Sequence, residues 1–177
     1  MMKKINWLFL IAGTFIMMYI MASTGRSLKT PATPLGILDL EFAYNNAKAH
    51  DVIEAWTITR SNSTDNIRVA IKNTWLDFIF LFFYSLFLFY ICKTIAEFFT
   101  GFVHKLGILL AMGALNAGLL DIAENAGMLI SLHGFSTAGI TLLTTICSVI
   151  KWILALSALA YLLLAGPFAL YRKLKNS

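Results

Sequence analysis

Four apolar runs, at about 5–22, 74–98, 106–130 and 138–164, constrain this chain more than any other feature of its sequence. A helix rises about 1.5 Å per residue, so roughly 20 apolar residues cross the ~30 Å hydrocarbon core of a bilayer. Each run is near that length or longer, and in lipid a spanning segment must satisfy its backbone hydrogen bonds internally, which a helix does. The expected fold is all-α: a polytopic membrane protein, a four-helix transmembrane bundle, with residues 1–177 forming one integral membrane domain.

A water-soluble alternative fails on composition. Of 177 residues, 59% are hydrophobic and 13% charged, whereas a soluble domain has about 25% charged residues. Too little polar surface is available to cover a globule of this size. The formal charge of +5 is spread over the edges of the apolar runs and one long loop. That placement suits membrane lipid and anionic headgroups as partners, and a nucleic-acid partner is not expected.

The run at 5–22 follows Met1-Met2-Lys3-Lys4, the outline of a signal peptide with Met21-Ala22-Ser23 as cleavage site. Its length favours a retained anchor helix over a cleaved leader. With four crossings, Lys3 and Lys4, then Lys93 and Lys105, then Arg172, Lys173 and Lys175 fall on one side. By the positive-inside rule both termini are expected to be cytoplasmic, in a cell membrane such as the bacterial inner membrane.

The opposing loop, 23–73, is then extracytoplasmic. Thr33-Pro34 reads as an N-cap followed by proline at the first helical position, opening a helix over about 35–56. Ala49, Val52, Ile53 and Trp56 recur at helical spacing, so this helix either lies on the membrane surface or caps the bundle. Residues 61–66 form a polar turn, and Asn62-Ser63-Thr64 matches a glycosylation sequon of low specificity.

Ionisable residues within a spanning helix are costly unless they face the protein interior and find partners. Asp77, Asp121, Glu124 and Lys151 occupy such positions. Asp121, Glu124 and Asn125 share one face of the third span at i, i+3 and i+4 spacing, and that face continues through Gly118, Ala117 and Ala114. Asn73, Asp77, Tyr84 and Ser85 line one side of the second span, and Thr141, Thr144, Thr145, Ser148 and Lys151 form a stripe on the fourth. Measured from the middle of each run, Lys151 lies close to the midplane with Asp121 near it. Glu124 and Asp77 lie together closer to the outer surface, where two carboxylates at one level would share a proton or bind a cation. Asp39 and Glu41 on the loop helix either solvate that helix or roof the site.

These residues define a candidate ligand site of Asp77, Tyr84, Asp121, Glu124, Asn125 and Lys151, open to the outer face. Its occupant would be a small polar ligand, a lipid headgroup, a cation or a proton. A structural or regulatory subunit, associating with itself or with another membrane protein, is the alternative. An enzyme acting on lipid is the third reading, with Glu124 or Asp77 as general base, but no nucleophile or metal cluster accompanies them. His50, His104 and His133 lack ligand spacing, and Cys92 and Cys147 sit singly in apolar runs, so neither a catalytic metal nor a cofactor is expected.

In outline, four spans with a long first loop resemble the claudin-like topology, and a small four-helix bundle resembles the quinone-linked disulfide-forming enzymes. The loop has no paired cysteines and the spans no reactive thiol pair. Neither resemblance reaches the residues that would carry function.

Overall fold

The computed structural model describes residues 7–58 and 65–175. Lys3 and Lys4, the start of the first run and most of the polar turn with its sequon lie outside the described residues. Of the described residues 86% are helical, with no strand among them. Among the described residues four helices are long and apolar enough to cross a membrane: α1 (Trp7–Thr24, continued by a 3-10 turn over Gly25–Leu28), α4 (Asn66–Ala96), α5 (Gly101–Leu132) and α6 (Ala138–Lys175). Two shorter helices, α2 (Ile37–Glu41) and α3 (Asn46–Ile58), lie between α1 and α4.

The loop helix expected over 35–56 is thus two helices, and the cause is local. Asn45 Oδ1 accepts from the Lys48 backbone N–H at 2.8 Å, capping α3 and competing with continuation from α2. Thr33 does not cap a helix. Its hydroxyl donates to Leu28 O at 2.8 Å and accepts from Trp56 Nε1 at 3.1 Å. The chain instead turns through Gly36 at φ +68°, a backbone conformation that glycine adopts freely, and α2 starts one residue later. Asp39 then satisfies the Leu35 N–H at 2.8 Å, as a side-chain cap at a helix start does.

The long helices also outrun the apolar windows that marked them. α4 begins eight residues before Thr74, with Asp65 accepting from the Arg68 N–H at 3.3 Å. α5 ends in a turn through Gly134 at φ +87°, where Phe135 N donates back to Ile130 O at 3.1 Å. Helical hydrogen bonding continues past the apolar stretch because polar turns here pack on protein.

α5 packs between α4 and α6, and α1 packs chiefly on α4. The antiparallel α1 sets a useful level. Asn73 Nδ2 donates to Met21 O at 3.0 Å and to Thr24 Oγ1 at 2.8 Å, so the end of α1 stands level with Asn73 of α4.

Two apolar cores result. One joins Leu28, Leu40, Ala49, Val52, Trp56, Ala70, Met128 and Leu132, seating α2 and α3 on one end of α4 and α5. The other joins Leu88, Cys92, Ile95, Ala111, Ala114, Ala158, Tyr161 and Ala165 toward the end bearing Lys93, Lys105 and Arg172, termed the basic end below.

Candidate functional site

Between the two cores lies a buried layer of ionisable side chains. Lys151 comes from α6, in a stripe with Thr141, Thr144 and Ser148, all buried. Its Nζ lies 2.5 Å from Asp121 Oδ1 and 2.8 Å from both Glu124 oxygens, so one ammonium bridges two successive turns of α5. The close approach of α5 to its neighbours is set by small residues. A Cβ on Gly118 would sit 2.9 Å from that of Ser85 on α4, and one on Gly127 would lie 2.1 Å from Thr144 Oγ1 on α6.

A third carboxylate arrives from outside the four spans. Glu41, the last residue of α2, is 6% exposed and places Oε2 3.6 Å from Lys151 Nζ. Trp152 Nε1 donates to the same oxygen at 3.3 Å, and Thr145 Oγ1 donates to the Glu41 carbonyl at 3.2 Å. Of the two readings of Glu41, solvating the loop helix or roofing the site, the geometry is the second. Asp39 stays at the surface as a cap.

Neutral donors complete the layer. Tyr84 OH donates to Asp121 Oδ2 at 2.7 Å, and Asn125 Nδ2 donates to Asp77 Oδ2 at 2.8 Å. All six residues singled out in the sequence therefore gather around one level. Lys151 holds Glu124 as well as Asp121, and Asp77 is bonded to Asn125 rather than sharing a level with Glu124 alone. Asn73 and Ser85 belong to packing, against α1 and α5 respectively.

Asp77 is four residues beyond Asn73, about 6 Å along α4 from the end of α1, and α6 runs thirteen residues, about 20 Å, before it reaches Lys151.

The layer is closed. Glu124 and Asn125 are fully buried, and Asp121 is 2% exposed. A gap between Leu40, Ala49, Met128, Ser131, Thr141 and Thr144, directly above it, has no room for a water molecule. Asn125 Oδ1 and Ser148 Oγ are buried with no hydrogen-bond partner among the described residues. Such orphaned polar atoms are rare in folded proteins.

Among the described residues Lys151 is the one cation in contact with Glu41, Asp121 and Glu124, and a fourth carboxylate, Asp77, is held by Asn125 in the same layer. A tight metal centre is not built: among the described residues no group of three or more His, Cys, Asp or Glu side chains has metal-holding geometry. No family model, no curated protein and no solved structure matches this chain.

Proposed function

We propose that this is a multi-pass membrane protein whose buried acidic layer takes up a proton or a small monovalent cation, with the α2 segment closing the site through Glu41. The observation that carries this reading is the excess of carboxylates, at least three in direct contact with one ammonium. In a medium of low dielectric, uncompensated charge of that size costs several kcal/mol per ion, and a bound positive charge removes it. The unpartnered Asn125 Oδ1 and Ser148 Oγ supply oxygen ligands at the same level.

In this reading the basic end, with Lys93, Lys105 and Arg172 to Lys175, faces the cytoplasm, as do both termini, and the α2–α3 cap faces outward. The membrane is the bacterial inner membrane. Set that way, the acidic layer lies near the outer headgroups, where charge is far less costly than at the bilayer centre. Moving α2 away would unseat Glu41, expose the ammonium and the remaining carboxylates to water from outside, and let the site exchange its cation.

A second reading is favoured by the tight closure of the layer: the ion network fixes the packing of a structural or regulatory subunit, and no ligand enters. The two separate cleanly. Unfolding midpoints of purified protein are compared in NaCl and in choline chloride at equal ionic strength, and across pH. A bound ion at a hundredfold excess over its Kd adds about 2.7 kcal/mol to stability, so the wild type is expected to respond to Na⁺ or to protons. Glu124→Gln and Asp121→Asn are expected to insert and fold but to lose that response. A wild type indifferent to both ions, or variants that keep the full response while merely melting lower, would overturn the binding reading in favour of the structural one.

A further inference from the structure

Toward the basic end, well away from the acidic layer, α5 and α6 part to leave a groove of about 560 Å³. Its walls include Phe99, Leu106 and Leu110 on one side and Ala160, Leu164 and Phe168 on the other. Tyr161 fixes the spacing of the two helices beneath it. The Tyr161 hydroxyl donates to Val103 O at 3.2 Å and occupies the place a side chain on Gly107 would need, 2.3 Å from an added Cβ. The groove is therefore built into the helix packing and does not depend on a flexible wall.

Along α6 the lining extends from Ser157 to Phe168, roughly 16 Å at the helical rise. One end of this apolar channel carries a fixed cation. The Arg172 guanidinium lies 4.8 Å from the Phe99 ring centroid, and Nη1 donates to Phe98 O at 2.6 Å. Held by a stack and a carbonyl, it keeps further N–H donors from its set of five, and Lys105 is exposed at the same end.

We propose that this groove seats one acyl chain of an anionic phospholipid, with the lipid phosphate against Arg172. The volume lies within the roughly 300–1,000 Å³ usual for ligand sites. An apolar channel ending in a preoriented guanidinium complements a hydrocarbon chain ending in a phosphodiester, and guanidinium binds phosphate oxygens in pairs. A zwitterionic lipid offers the same chain, but its own ammonium opposes the guanidinium. This inference is independent of what the acidic layer binds.

Native mass spectrometry of the detergent-purified protein, titrated with phosphatidylglycerol or phosphatidylcholine of identical acyl chains, tests it. One phosphatidylglycerol is expected to be retained in preference. Arg172→Gln should lower its retention about fivefold, the effect of one basic residue on an anionic headgroup, and bring the two lipids level. Ala160→Trp, which fills the groove from its exposed side, should remove the retained lipid of either class. Ala160→Trp should unfold like the wild type in lipid-free detergent, since Ala160 is exposed, and Arg172→Gln should lose no more stability than one exposed cation–π contact and one hydrogen bond contribute. Equal retention of the two lipids by the wild type, or unchanged retention in either variant, overturns the proposal. So does a lipid-free dimer that Ala160→Trp dissociates, which would assign the groove to a second copy of the chain.

Discussion

Lys151 is the residue on which the interior depends. Its ammonium lies within 4 Å of three carboxylates from two elements, while Tyr84, Trp152 and Asn125 give Asp121, Glu41 and Asp77 one neutral donor each. Glu124 is the exception, with both oxygens on Lys151. Removing one partner of a buried ion pair leaves the other desolvated and unpaired, at a cost of about 3–5 kcal/mol. Lys151→Met, which keeps the length of the side chain, is expected to lose at least that much stability, because it strands several carboxylates at once. Adding Glu124→Gln and Asp121→Asn to Lys151→Met should recover a large part of the loss, since neutral groups need no counter-charge. A triple variant no more stable than Lys151→Met would mean that the cation serves packing and not charge balance.

At the scale of elements, the informative piece is the short α2 and the turn that leads into it. Trp56 of α3 is fully buried and donates to Leu28 O at 2.9 Å and to Thr33 Oγ1, pinning the strand of chain from which α2 hangs. Trp56→Leu removes both bonds and part of the apolar core around them, about 2–4 kcal/mol by analogy with large-to-small core changes. The expected result is faster amide hydrogen exchange across 28–41 with little change in α5. Uniform acceleration throughout the chain would show that α2 and its anchor do not move as a separate unit. This element is also where reading the sequence failed. The four long helices were legible because lipid demands a minimum apolar length, and the face shared by Asp121, Glu124 and Asn125 because helical spacing alone puts them together. Glu41 was legible only as one of two residues able to roof the site, with nothing to choose it over Asp39 or over plain solvation of the helix. On one continuous helix its neighbours gave it no reason to be inside, and only the Asn45 cap, the turn at Gly36 and the bond from Thr145 bring it down to Lys151. Of these, Asn45 alone left a visible signal, as a capping residue in the middle of the presumed helix.

The whole molecule is an acidic layer held between two apolar cores, and its depth in the membrane decides how that layer is reached. Sequence windows centre the fourth span near Lys151, which would bury the layer at mid-bilayer. The proposed function places it shallower, with α1, the shortest of the four, ending level with Asn73 and only one turn from Asp77. If α1 marks the hydrocarbon, the first three turns of α6 and the α2–α3 cap project beyond it. Cysteines placed singly at Ile146 and Leu156, both on exposed positions of α6, distinguish the two depths once Cys92 and Cys147 are replaced by alanine. Ile146 stands about 8 Å to the cap side of Lys151 and Leu156 about 8 Å to the other. With the layer near the outer surface, a membrane-impermeant maleimide added outside intact cells should label Ile146→Cys and spare Leu156→Cys. With the layer at the midplane, hydrocarbon would cover both and neither would react. The first outcome puts the Glu41 closure within reach of water and makes exchange with the outside a matter of moving one short helix. The second would require any ion to cross half the bilayer first, and would leave the structural reading of the layer as the better one.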